Sequence, residues 1–286
     1  MGRPRQPHRN RRRKRRRFMN WSAKKAQSAE ALIREVGAWI QLQRQDFQAS
    51  SVETKSLNAL VSYVDREAEE RLATGLGALL PGCGFLGEEG AYPWSEGRFN
   101  WIIDPLDGTT NFIHDLPPYA ISVALLEGDD LRWAAVLELG QNLLYTAGRG
   151  EGTFCEGRRL QVSDRPMSES LVATGFPYYD FSEMGPYLGV LQACFKESRG
   201  VRRFGSAATD LAWVANDRFQ AFFEHGLAPW DVAAGILLVR EAGGYVSTFT
   251  GAIPVDRELI QARQLVAGHP QVHATLVEWT QTHFQA

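Results

Sequence analysis

Cysteine is scarce in this chain: Cys83, Cys155 and Cys194 are the only three in 286 residues, and no two are closely spaced. An odd count without C-x-x-C pairs excludes a disulfide framework and a zinc site, and fits a reducing, cytoplasmic home. Long apolar runs are also missing. No stretch approaches the ~18 residues a membrane-spanning helix requires, and the charged N-terminus is not followed by the apolar core of a secretory signal. Acid is absent from residues 1–17, where ten of the 31 basic residues stand. The rest of the chain is left with 21 basic against 33 acidic groups, a net charge of −12. Such an acidic body suits a cation-dependent enzyme better than a nucleic-acid binder.

What is present is a globular composition, 44% hydrophobic and 22% charged, enough to bury a substantial core. Residues 1–18 form a basic tail that self-repulsion is expected to keep disordered. Its readings are a nucleic-acid tether or an address signal, or else a segment outside the working protein, because Met19 directly precedes the first amphipathic pattern. Residues 19–286 are expected to form a single catalytic domain.

Helical spacing of Ala26, Ala29, Ile33, Val36 and Ile40 predicts a helix from Ser22 to Phe47, and a second is expected from Asp65 to Leu80, before Pro81-Gly82. Short strands are predicted at Phe85–Gly87 and Phe99–Ile103. Tyr119–Leu126, Leu131–Leu139 and Asn142–Gly148 are separated by Gly-Asp-Asp and Gly-Gln-Asn turns, which predicts an antiparallel meander. The remainder alternates: strands at Leu171–Thr174, Phe219–Phe223, Val246 and Gln264–Ala267, and helices at Asp180–Phe195, Ser206–Ala215, Trp230–Ala242 and Val272–His283. Mixed sheet with interleaved helices indicates an α+β or layered α/β architecture.

The informative segment is Trp101-Ile102-Ile103-Asp104-Pro105-Leu106-Asp107-Gly108-Thr109-Thr110-Asn111-Phe112. Pro105 is expected to stop the strand, so that Asp104, Asp107 and the Leu106 carbonyl converge in a turn. Hard oxygen donors of that kind fit magnesium. Gly108 has no Cβ to block a ligand, and a helix starting there would aim free N–H groups and a positive dipole end at a phosphate. Taken alone, D-x-x-D-G-T also fits ordinary turn and capping chemistry. It has candidate acidic partners elsewhere, in Gly87-Glu88-Glu89 and Trp230-Asp231.

Trp101 to Phe112 resembles the first signature of the inositol monophosphatase family, and Trp230-Asp231-Val232-Ala233-Ala234-Gly235 its second. Gly87-Glu88-Glu89 and Gly205-Ser206-Ala207-Ala208 are similar to the elements upstream of each, and the likeness runs from about residue 22 to the C-terminus. The resemblance implies a layered α/β sandwich of alternating helix and sheet layers. It also implies magnesium-dependent hydrolysis of a small phosphomonoester by in-line attack of water, with inositol 1-phosphate the preferred substrate. By motif position, Glu88, Asp104 and the Leu106 carbonyl hold one magnesium, and Asp104, Asp107 and Asp231 a second. Thr109 orients the attacking water, and Glu88 or Asp65 takes its proton. Gly108, Thr109 and Thr110 are implied to hold the phosphate, and Asp107, Ala207, Glu224 and Asp231 to face the organic half. A homodimer is implied as well.

The chain departs from the family pattern in Lys55–Asp65, where Ala59 replaces an acid and Ser62 a threonine, which weakens the case for a third magnesium near Glu88 and Asp65. Three other phosphatases of the fold stay open: for fructose 1,6-bisphosphate, for 3′-phosphoadenosine nucleotides and for histidinol phosphate. A nucleic-acid-interacting regulatory protein using residues 1–17 is the reading from a different class.

Overall fold

The computed structural model describes residues 20–45, 52–56, 59–90, 93–177 and 180–284. The basic segment 1–18 lies outside them, as do Phe47, Leu57 and Asn58. The chain begins with α1 (Ala23–Gln45), β1 (Val52–Ser56), β2 (Ala59–Ser62) and α2 (Tyr63–Leu79). Next come β3 (Gly84–Gly87), β4 (Phe99–Asp107), the short α3 (Thr109–Ile113), β5 (Ala120–Glu127), β6 (Asp130–Glu138), β7 (Leu143–Gly148), β8 (Gly152–Cys155) and β9 (Arg158–Leu160). The last part comprises β10 (Leu171–Thr174), α4 (Met184–Glu197), β11 (Gly200–Arg202), α5 (Ala207–Ala215), β12 (Ala221–His225), α6 (Pro229–Glu241), β13 (Tyr245–Ser247), α7 (Asp256–Leu259), β14 (Gln264–Gly268) and α8 (Pro270–Phe284).

Among the described residues, β3 to β9 make one seven-stranded sheet in sequence order, and a second, five-stranded sheet runs β11-β10-β12-β14-β13. The predicted meander is therefore real and longer than expected, because β8 and β9 extend it. Period-two alternation sorts the first sheet's side chains into two cores. Trp101, Ile103, Val123, Leu125, Trp133 and Leu137 pack under α1 and α2. Ile102, Ala124, Leu126, Ala134 and Val136 face the other way, against α5 and α6. Those two helices also meet Phe222, Leu265 and Ala267 of the second sheet. That sheet's far face, with Val172, Ala221, Phe223 and Val266, packs on α4 and α8. The result is five layers, helix–sheet–helix–sheet–helix, as expected from the sequence.

The central helices are apolar all round because both sides meet a sheet. Every residue of α5 is buried, as is Val232–Val239 of α6. Pro229 opens α6 at its first turn, where the N–H that proline lacks has no partner to lose, and Gly243 (φ +90°) ends it.

One expectation is corrected. Pro105 does not end its strand: β4 continues to Asp107, with its register against β5 shifting between Asp104 (paired to Ser122) and Asp107 (paired to Ala120). On β4's other side, β3 pairs only as far as Ile103, so nothing there asks Pro105 for an N–H. Pro105 and Leu106 thus form a bulge inside the strand rather than a turn after it. In the Lys55–Asp65 segment, β1 and β2 pair as a two-stranded antiparallel ladder. No helix among the described residues is long and apolar enough to cross a membrane.

Candidate active site

The β4 bulge, the starts of α3, α5 and α6, and the end of β12 meet around a cleft of about 610 Å³. The bulge re-aims its two acids: Asp104, Asp107 and, from the first turn of α6, Asp231 bring one carboxylate oxygen each within 4.8 Å of one another. Each is fixed by its own backbone contacts. Asp104 Oδ1 accepts from the Leu106 N–H (3.0 Å), within the bulge. Asp107 Oδ2 accepts from the Ala208 N–H (2.8 Å) and the Ser206 hydroxyl (2.6 Å) at the start of α5, which leaves its second oxygen for the cluster. Asp231 Oδ2 accepts from the Ala228 N–H (2.7 Å), capping the helix that carries it. Ser206 also caps α5 by accepting from the Thr209 N–H (3.3 Å).

Burial and mutual repulsion raise these acids' pKa values. Asp104 is held well above the ordinary aspartate range by desolvation, then by the charges of Glu88, Asp107 and Asp231. Desolvation pushes Asp107 to about 6, against the hydrogen bonds from Ser206 and Ala208. Asp231 rises to about 7 through desolvation and the Asp107 charge. A cluster of buried like charges is a poor structural element and a good ligand set: three hard oxygens fit a divalent cation of the magnesium type.

Glu88 lines the same cleft and raises Asp104, but it stands outside the three-acid cluster. Thr109 Oγ1 donates to Asp65 Oδ1 (2.9 Å) and also lies 3.1 Å from the Leu106 carbonyl. Asp65 itself does not line the cleft. Its other oxygen is engaged by the Ser62 N–H (2.9 Å) and hydroxyl (2.6 Å), so it sits behind Thr109. Gly108 has φ +90°, and a Cβ there would lie 3.2 Å from both the Gly205 and Pro118 carbonyls. Glycine is needed on both counts. Asn111 Nδ2 donates to the carbonyls of Pro118 (2.8 Å) and Phe204 (2.6 Å), tying α3 to the segment that leads into α5. Thr110, Ala207 and Glu224 line the cleft as well. Glu224 lies against Gly175 so closely that a Cβ on Gly175 would fall 1.9 Å from its Oε1.

A model of the inositol monophosphatase family matches residues 22–285. The chain belongs to this family. It is 41% identical over 239 residues to the protein of Pseudomonas aeruginosa named Nus factor SuhB, covering 82% of this chain and 87% of that one. It is also 41% identical over 235 residues to the inositol-1-monophosphatase of Rhizobium meliloti, with the same coverage. Among solved structures, the extragenic suppressor protein SuhB of Bartonella henselae superposes with a TM-score of 0.83 at 34% identity, over 90% of this chain and 98% of that one.

Within this member of the inositol monophosphatase family, two further residues belong to the cleft. Arg203, which from sequence could steer anions or equally be a solvated surface charge, lines it, and its charge acts on Asp107, Asp210 and Glu224. Asp210 was not singled out at all. It is 1% exposed and lines the cleft from within α5. A signal existed: it is the sole charged residue in Ala207–Ala215, a helix otherwise apolar enough to be buried all round. Trp101 is a core residue as expected, edge-on to Trp21 and Trp133 at 5.5 and 6.1 Å between ring centroids.

Proposed function

We propose that this protein hydrolyses a small phosphorylated polyol, inositol 1-phosphate before other esters, with magnesium as the metal. The observation that carries the reading is the meeting, in one cleft, of the Asp104–Asp107–Asp231 cluster with Thr109, which Asp65 backs, and with Glu224. Glu88, Asp104, Asp107, Asp231 and the Leu106 carbonyl would hold two magnesium ions; Asp65, engaged by Ser62 and Thr109 behind the cleft, gives a third ion less support. Magnesium bound there supplies Lewis-acid stabilisation of phosphoryl charge and makes a bound water more acidic.

The chain's own groups then divide the work. The Thr109 hydroxyl donates its hydrogen bond to Asp65, which leaves its oxygen able to accept from a water in the cleft. That water attacks phosphorus in line with the ester oxygen, its proton passing to Glu88 or, through the Thr109 hydroxyl, to Asp65; the P–O bond to the alcohol breaks and the leaving oxygen takes a proton from solvent. Backbone N–H groups of Gly108, Thr109 and Thr110 hold phosphate oxygens. Asp107, Ala207, Glu224 and Asp231 contact the alcohol. No phosphoenzyme is needed, and none of the three thiols lines the cleft. Thr109→Ala is expected to lower kcat about 100-fold, the scale of a lost proton-transfer partner, while Thr109→Ser keeps most of it. Gly175→Ala pushes the Glu224 carboxylate aside, so kcat/KM for a polyol phosphate should fall on the order of 10²-fold. Steady-state kinetics on purified variants checks both.

The test of the function is phosphate release from inositol 1-phosphate, fructose 1,6-bisphosphate, 3′-phosphoadenosine 5′-phosphate and histidinol phosphate, each with magnesium and with chelator. Best turnover on inositol 1-phosphate, abolished by chelator, supports the reading; preference for another ester moves the substrate and keeps the chemistry; no turnover on any of them sinks it. A homodimer in the cytoplasm accompanies the proposal, and sedimentation tests the oligomer.

A second reading is favoured by the relative named a Nus factor together with the ten basic residues in positions 1–17. On that reading the chain also meets nucleic acid through its N-terminal segment. RNA binding that weakens with salt and is lost when the chain starts at Met19 supports it, and salt-insensitive or absent binding removes it.

A further inference from the structure

Asp210 is a buried carboxylate that the mechanism above does not use. It sits in the first turn of α5, one turn inward from Ser206 and Ala207 and on the face they present to the cleft. It is 1% exposed, and its Oδ1 has no hydrogen-bond partner among the described residues. A carboxylate oxygen without a partner in so dry a place is costly, and an apolar side chain would suit the rest of α5 better. The expense is explained if the partner arrives with a ligand.

The neighbours say what kind of ligand. Glu224 lines the same cleft from the end of β12, and Arg203 lines it from the segment before α5. All three are close enough that Glu224 raises Asp210's pKa and Arg203 lowers it. Two acceptors and one guanidinium donor are a poor match for a second anion and a good one for alcohol groups, which both donate and accept. With phosphate held at the aspartate cluster, the alcohol's hydroxyls fall on this wall of the cleft.

We propose that Asp210 is a specificity residue that hydrogen-bonds a hydroxyl of the leaving alcohol beside Glu224, and so selects phosphorylated polyols over phosphomonoesters lacking hydroxyls. The inference rests on the polyol reading above and adds a residue to it.

The experiment compares the full-length protein with Asp210→Ala and Asp210→Asn, each with magnesium, on inositol 1-phosphate and on p-nitrophenyl phosphate, with a thermal melt of each variant. For Asp210→Ala the expected result is a drop in kcat/KM on inositol 1-phosphate of about 10- to 100-fold, the scale of a hydrogen bond to a charged group, carried mainly by KM. The drop on p-nitrophenyl phosphate should be much smaller. Asp210→Asn, which keeps the size and one acceptor, should fall between Asp210→Ala and the parent. Equal losses on both esters would make Asp210 a structural support and overturn the proposal, as would an unchanged preference in both folded variants. If the parent protein itself shows no preference for the polyol ester, the polyol reading fails and this inference goes with it. If the parent prefers it and the variants do too, the assignment of Asp210 alone falls.

Discussion

Asp104→Asn is expected to abolish magnesium-dependent phosphate release, at least about 10³-fold in kcat, and at the same time to raise the melting temperature of the chelated protein. The two effects have one cause. Asp104 is almost fully buried, with Glu88, Asp107 and Asp231 all raising its pKa, and it accepts a hydrogen bond from the Leu106 N–H. Without a cation, ionising it adds negative charge to an already negative, poorly solvated cluster. The amide of asparagine has nearly the same shape and no charge, so the metal-free fold gains what the repulsion had removed. On the proposed mechanism, the cation-loaded protein loses one of the three clustered carboxylates that would hold the metal. Sites that hold charge in readiness for a ligand commonly trade stability this way. Phosphate-release kinetics and melts in chelator check the two halves separately. Retained activity would remove Asp104 from the ligand set; an unchanged or lower melting temperature would show that the repulsion is relieved some other way.

How much of this site was legible follows from how local each part is. Asp104, Leu106, Asp107, Gly108 and Thr109 lie within six consecutive positions, so residue chemistry alone suggested a cation and an anion there. Their partners did not come that way. Asp231 lies 124 positions beyond Asp107 and is one candidate acidic partner among others until the family resemblance singles it out and the fold joins the two, laying α6 against β4, β5 and β6. Pro105 misled in detail, because a proline rule written for the middle of a sheet does not apply where the neighbouring strand has already ended. β8 and β9 were missed because they are four and three residues long and carry little apolar alternation. Asp210 was passed over for a related reason: an acid in the first turn of a helix is ordinary dipole chemistry. Only the packing of α5 between two sheets turns that ordinary residue into a buried one.

Chelated protein should lose stability as pH rises from 6.5 to 8, and magnesium should restore most of it at the upper end. The sign follows from the acids. Folding raises Asp107 from an ordinary 3.8 to about 6 and Asp231 to about 7, and Asp104 higher than the ordinary range. Over this interval the folded state keeps protons that the unfolded chain has already released, so its stability is greatest at low pH and falls as pH climbs through the folded values. Buried histidines work in the opposite direction, since burial lowers His273 to about 4 and also depresses His269. Their contribution is lost as pH falls from their unfolded value near 6.5, so above that value they are silent and the carboxylates act alone. Metal binding needs the same carboxylates ionised, and its stabilisation therefore grows over the interval in which the chelated protein weakens. The gap between melting temperatures in magnesium and in chelator is expected to widen by about 2–4 °C from pH 6.5 to 8, the response of a protein this size to about 1 kcal/mol. A gap that is constant with pH would mean that the three aspartates are not the cation's ligands. A chelated protein more stable at pH 8 than at 6.5 would mean that they are not raised at all.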